Sequence, residues 1–421
     1  MKKHIQTIIK HPLISNSAII VGGGLLANLF NFFFNLFMSR NLSVANYGTL
    51  ASIVSMLSLF ILLTESFMPT IVHFSAGYFA NKEFSLVRGV FFKFTKITLV
   101  LGLLLLVLII IFAKQIGSFF NIHEVNIIYL ASFIVFLSFV NVVNKGLLQA
   151  KLAFGYISFI TFLGTLFKFL LGVLFVLLGF KVFGALLAFV LSFILPYLAT
   201  FLPLRIIFVG KVAEPKNISS MQVFTYGGPA TISILALTFF VTTDIIMVKH
   251  FFNPTQAGIY AGLSLVGRVI FFLSAPISTV MFPLVVHKRA KNEAYHNIFM
   301  LSLLLVFLPS LAMTIFYFLF PSFSISFFLK NKSYLTVAPM LGYFGIFVTL
   351  YALLSVLTNF FLSIKKTAVA IPLVLSALLQ AVLIWIFHAT IFEVIMVSTF
   401  SIGLPVAILL VYYFSIHVKK H

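Results

Sequence analysis

Four ionisable side chains stand inside long apolar runs, where charge is costly: Lys168, Arg268, Glu65 and Asp244. A Lys or Arg at the centre of a membrane helix costs about 2.5–3.5 kcal/mol on insertion scales, so each needs a partner or a ligand. Arginine offers a planar fork for phosphate oxygens and lysine a point charge, and together they suit a diphosphate head group. The alternative is that they pair inside the membrane with Glu65 or Asp244, or reach out to an interface. The two carboxylates carry the mirror alternatives: to take up H+ or Na+ during a transport cycle, or to neutralise a nearby base. Asn28, Asn31 and Asn35 follow an i, i+3, i+7 rhythm and share one helix face, as do Ser55, Ser58 and Glu65. Such stripes either line a cavity or hold helices together.

Other chemistries find no residues to carry them. The chain has no cysteine, hence no disulfide, thiolate metal site or cysteine nucleophile. It contains no G-x-x-x-x-G-K-[ST] loop and no H-E-x-x-H, its seven acidic residues are scattered, and Gly22, Gly23 and Gly24 form no dinucleotide fingerprint. No catalytic set, resident cofactor or metal is expected, which leaves a carrier rather than an enzyme. His73, His388 and Trp385 lie near span ends and read as interface or packing residues.

The elements that must position these residues are membrane helices. With 62% hydrophobic and 8% charged residues, the chain cannot hide its apolar surface in one soluble core, where about a quarter of residues are charged. Charge-free runs such as Ile97 to Phe112 recur along the length. Lipid satisfies no backbone group, so these runs must be helical, and the short alternating segments of a β-barrel are absent. Twelve spans are expected over 15–38, 48–79, 94–113, 126–148, 153–179, 182–204, 221–248, 256–286, 297–320, 337–361, 367–388 and 393–416. The second and eighth exceed a bilayer's thickness and contain Pro69 and the pair Pro276 and Pro283, so kinks or extensions beyond the lipid are expected there. The first span is expected to be retained, since it is too long for a signal-peptide core.

The net charge of +20 sits in clusters between spans and sets orientation, so no nucleic-acid partner is implied. With the amino terminus placed in the cytoplasm, nineteen Lys and Arg fall on inner segments and six on outer ones, including Arg40. That bias fits an even number of spans with both termini inside. The chain also repeats itself: Asn144, Leu147, Lys151 and Ala153 recur as Asn359, Leu362, Lys366 and Ala368, and Ala45 and Ser52 as Ala257 and Ser264. Two six-helix lobes, 1–210 and 221–421, joined by a cytoplasmic linker 211–220, should therefore be related by an axis along the membrane normal and enclose a central cavity.

At the outer end of the first span the chain reads Met38-Ser-Arg-Asn-Leu-Ser-Val-Ala-Asn-Tyr-Gly-Thr-Leu-Ala51. An arginine closing the first helix, a short polar loop and Tyr47-Gly48 opening the second resemble the polysaccharide-biosynthesis flippases of the multidrug/oligosaccharidyl-lipid/polysaccharide (MOP) exporter superfamily. The resemblance extends over the full length through the six-plus-six layout and the Asn359-x-x-Leu-x-x-x-Lys366 segment. It implies an all-α, MATE-like fold in a bacterial inner membrane, moving undecaprenyl-diphosphate-linked oligosaccharide units outward by alternating access for O-antigen, capsule or exopolysaccharide. The head-group candidates are then Lys168, Arg268, Arg40, Asn28, Asn31 and Asn35, with Glu65 and Asp244 as candidate H+ or Na+ coupling residues. The implied partners are the lipid-linked oligosaccharide, membrane lipids, a polysaccharide polymerase and a chain-length regulator, with the chain itself a monomer. Two rivals remain: a MATE-type antiporter for organic cations, which needs an acidic cavity, and a glycan polymerase or ligase, which needs a large outer loop.

Overall fold

In the computed structural model, which describes residues 12–209, 220–291 and 293–418, every regular element is helical. The first half runs α1 (Pro12–Asn41), α2 (Val44–Glu65), α3 (Met68–Ala80), α4 (Phe84–Ile111), α5 (Ala113–Phe119), α6 (Val125–Ala150), α7 (Phe154–Leu177) and α8 (Lys181–Leu204). The second runs α9 (Ser220–Phe251), α10 (Pro254–Gly267), α11 (Val269–Ala290), α12 (His296–Leu319), α13 (Pro321–Phe328), α14 (Leu341–Ser363), α15 (Ala370–Ile386) and α16 (Ile391–Val418). Among the described residues eleven helical segments are long and apolar enough to cross a membrane, and the 30-residue α1 stands where the first span was expected. The chain is thus an all-α multi-pass membrane protein. The short helices α5 and α13 and a 3-10 stretch over Lys332–Met340 were not expected as separate elements.

Both over-long spans are broken, for different reasons. The second parts between Glu65 and Met68, with Pro69 in the first turn of α3 where a missing N–H costs nothing. The eighth parts at Arg268, ahead of both expected prolines; Pro276 and Pro283 lie inside α11 without ending it. Arg268 instead turns the chain where its guanidinium finds the backbone of α9, as described below.

Contacts group the chain into two compact units. The first comprises the chain up to Phe37, Phe60–Ser118 and Ile122 to Gly228; the second comprises Met38–Leu59, Phe119–Asn121 and Pro229 onward. The expected boundary residues 211–219 and both extreme termini lie outside the described residues. Chain order alone would place Met38–Leu59 and Phe119–Asn121 in the first unit, and side chains explain why they pack with the second. Gly48 meets Gly258 so closely that a Cβ on Gly48 would lie 2.6 Å from the Gly258 nitrogen. Lys249 Nζ donates to Thr49 Oγ1 at 3.1 Å. Asn121 donates to the carbonyls of Lys249 (3.3 Å) and His250 (3.1 Å), and the Phe119 ring stacks on His250 at 4.1 Å.

The sequence repeat maps onto equivalent elements. Asn144 lies on α6 and Asn359 on α14, the most enclosed span of each unit, with 61% and 67% of their apolar windows buried. Helix α6 packs against α4, α8 and α3, and α14 against α12, α16 and α11, so the neighbours repeat as well. Each repeated amide bonds a hydroxyl of a neighbouring helix: Asn144 Nδ2 to Thr200 Oγ1 at 2.7 Å, and Asn359 Nδ2 to Ser278 Oγ at 2.9 Å. Between lipid-soluble helices such polar bonds and close glycine contacts supply the association that the hydrophobic effect does not. A Cβ on Gly258 would meet the carbonyl of Val44. Gly258→Ala should therefore force α2 and α10 apart and lower stability by about 1–3 kcal/mol, read as a depressed melting temperature in detergent; an unchanged melt would contradict the packing.

Candidate functional site

The first unit contains a cavity of about 240 Å³ lined from α1, α6, α7 and α8, with Ile61 of α2. Its deepest charged group is Lys168, which is only 8% exposed. The ammonium donates to Asn31 Oδ1 on α1 and lies over the rings of Phe189 (4.4 Å to the centroid) and Phe34 (5.2 Å). Aromatic faces attract a cation but do not neutralise it. Among the described residues no carboxylate forms an ion pair with Lys168.

Periodicity explains how the wall is built. On α7, Thr161, Gly164, Thr165 and Lys168 stand at i, i+3, i+4 and i+7, and all four line the cavity; on α8, Ser192, Pro196 and Thr200 do so at i, i+4 and i+8. Gly164 lets α8 approach, since a Cβ there would lie 3.0 Å from Pro196 Cγ. The hydroxyls of Thr165, Ser192 and Thr200 donate to carbonyls of their own helices, and the Asn141 amide donates to Leu137 O at 2.8 Å. Those protons are occupied, and the ammonium groups are the charged donors that an anion in the cavity would meet. A second ammonium lines it too: Lys145 on α6, paired at 3.3 Å with Glu65 at the end of α2.

Of the residues singled out from sequence, then, the structure brings together Lys168 and Asn31. Asn35 faces its own helix, its amide donating to Asn31 O at 2.8 Å, and Asn28 is exposed and does not line the cavity. Arg40 belongs to the second unit, where Nε and an Nη donate to the carbonyls of Phe328 and Phe327, both at 2.7 Å. It satisfies carbonyls at the C-terminal end of α13 that have no partner within the helix, so its fork is already occupied.

Arg268 is likewise engaged. Its guanidinium donates to Val241 O on α9 and stands 3.9 Å from Asp244 Oδ1. Asp244 is fully buried and also accepts from Tyr260 OH at 2.8 Å and from the Ile245 amide at 2.9 Å. Arg268 therefore ties the α10–α11 joint to α9, which is the intramembrane pairing left open by the sequence. Glu65, the other carboxylate, pairs with Lys145 rather than with Lys168 or Arg268. Lys145 was missed because its place in a basic inner segment reads as an orientation signal. Its spacing of four from Asn141, on one face of α6, was the available clue.

Comparison with known proteins follows the same direction. The family model described as polysaccharide biosynthesis protein matches residues 13–287. No curated protein matches the chain. Among solved structures, the chain is similar to a multidrug resistance MATE family transporter of the MOP superfamily in an inward-facing conformation, with a TM-score of 0.70, 14% identity and coverage of 94% of this chain and 96% of that one. A MATE transporter in a bent conformation gives 0.67 at 13% identity, covering 99% and 98%. A MOP superfamily transporter from Pyrococcus furiosus, whose binding pocket of reverse polarity suggests a different function, gives 0.62 at 17% identity, covering 97% and 96%. At such identities the solved structures establish the fold, while the family model spans more than half of the sequence: the chain belongs to the polysaccharide biosynthesis protein family, on the fold of the MOP transporters.

Proposed function

We propose that this protein is a flippase that carries a lipid-linked oligosaccharide, joined through undecaprenyl diphosphate, from the cytoplasmic to the outer leaflet of a bacterial inner membrane. The observation that carries the reading is Lys168, a buried ammonium opening on a cavity and lacking a carboxylate partner. Removing an unpaired charge from water costs several kcal/mol even after relaxation, and a phosphate entering the cavity would offset that cost with charge-assisted hydrogen bonds. The same ammonium argues against the antiporter rival, because an organic cation entering the first unit would meet like charge without a compensating carboxylate. The lipid tail stays among phospholipids while the head group is sheltered. The P. furiosus transporter, whose binding pocket of reverse polarity suggests a different function, is a precedent for this fold serving more than one function.

Energetics favour this direction. An anionic head group moving outward runs with an inside-negative potential, worth about 2.3 kcal/mol per charge per 100 mV. Coupling to H+ or Na+ is then not required, and the two candidate coupling carboxylates, Glu65 and Asp244, both sit against cations. A polymerase acting on the outer leaflet is the partner class that would consume the product.

A strain lacking the gene should accumulate cytoplasm-facing lipid-linked oligosaccharide, and the wild-type chain should clear it. Charged hydrogen bonds are worth about 1.5–3 kcal/mol, so Lys168→Ala should slow clearance at least about tenfold at normal membrane levels; full rescue would contradict the proposal. Arg268→Ala should act differently. Leaving Asp244 buried and unpaired, it should lower the amount of folded protein, seen as a depressed melting temperature and reduced membrane level; normal levels with abolished transport would instead return Arg268 to the substrate site.

A further inference from the structure

The cavity holds two ammonium groups in different states and at different depths. Lys145 lies five residues from the C-terminal end of α6 at Ala150, and Lys168 lies fourteen residues from the N-terminal end of α7 at Phe154. The two helices are joined by the turn Lys151–Ala153, so these ends lie on the same side. At about 1.5 Å per residue, Lys145 sits about 8 Å and Lys168 about 21 Å from that side. The turn carries Lys151, one of the cytoplasmic-side cations by the charge bias. With that side cytoplasmic, as the charge bias implies, Lys145 is the nearer of the two cavity cations and Lys168 the farther.

Their partners differ as well. Lys168 has a neutral amide oxygen and two ring faces. Lys145 has Glu65, at 3.3 Å, with both side chains 34% exposed, and Glu65 itself does not line the cavity. An ion pair that exposed is weak, worth up to about fivefold, so another anion can replace the carboxylate. The contrasting pair, Arg268 and Asp244, has a fully buried carboxylate held by two further donors and does not exchange on those terms.

The geometry points to a two-step anion path: the head-group phosphate first displaces Glu65 from Lys145, then passes inward to Lys168, and Glu65 returns to Lys145 behind it. The inference rests on the proposed function and adds an entry ligand, Lys145, and a resident competitor, Glu65, that the family reading does not supply. Glu65 keeps the entry cation neutralised between cycles. Only a ligand that outcompetes a carboxylate, as a phosphate with more negative charge does, opens the pair.

The test separates arrival from retention. Full-length protein in nanodiscs of zwitterionic lipid is mixed with a fluorescently labelled diphosphate ester in a stopped-flow instrument, and unlabelled inorganic diphosphate then chases it off. Since the competing pair is worth up to about fivefold, Glu65→Gln should associate about fivefold faster than wild type. Lys145→Gln should associate and dissociate about fivefold more slowly, leaving the affinity unchanged, whereas Lys168→Ala should dissociate at least tenfold faster. Wild-type association rates in both Glu65→Gln and Lys145→Gln overturn the path while leaving the head-group site at Lys168 intact. Dissociation from Lys168→Ala at the wild-type rate, or no binding by the wild type, overturns the functional reading and the path with it. If Glu65→Gln does not fold, the slowed association of Lys145→Gln decides the question alone.

Discussion

A charge inside a membrane protein has to be answered by something, and the answers given to four charges organise this molecule. Asp244 is answered by Arg268, Tyr260 and a backbone amide, Arg268 also by the Val241 carbonyl, and Glu65 by Lys145. The contacts of Asp244 and Arg268 are structural in effect and fix the α10–α11 joint to α9, while the more exposed Glu65–Lys145 pair joins the end of α2 to α6 in a form that another anion can open. Lys168 is answered by one amide oxygen and two aromatic faces, which orient the ammonium without cancelling it. The remaining electrostatic demand is local, lies in a cavity and can be met by an anion. Function in this reading is the unfilled part of the same ledger that holds the helices together.

The two units share a scaffold but not a chemistry. Asn144 and Asn359 occupy matching helices and sit among matching neighbours, though they bond hydroxyls on different ones, Thr200 of α8 and Ser278 of α11, so duplication accounts for the frame. The polar face of α7, with Thr161, Thr165 and Lys168, corresponds to α15, where Gln380 bonds Phe240 O and Ser398 Oγ inside the core. In the first unit that face opens a cavity; in the second it closes on neighbouring helices. The cationic cavity of the first unit suits a head group carried there.

Much of the frame was legible in the sequence. Apolar length located the spans because lipid allows helices and little else, and the repeat of Asn144 at Asn359 located corresponding helices because buried amides need defined partners. The break in the eighth span was not legible. Proline is the visible helix breaker, but at Arg268 the chain turns because of what the side chain reaches on α9, which is tertiary information. Charge assignment failed for a related reason. A cation in an apolar run looks the same in sequence whether it lines a cavity or stands against a buried carboxylate, and Lys168 and Arg268 divide between those places. Arg40 looked free at a helix end, yet the carbonyls of Phe327 and Phe328, far along the chain, take up its fork. Lys145 was hidden by a correct generalisation, since basic residues at inner span ends usually report orientation.

The central claim is that Lys168 is the phosphate ligand. Its most direct test is an experimental structure of the protein with a diphosphate-linked lipid saccharide bound. A phosphate oxygen should lie within about 3.2 Å of Lys168 Nζ, with the lipid tail leading out toward the bilayer. A head group bound elsewhere, with Lys168 still resting on Asn31 and the cavity beside it filled by water alone, would contradict it.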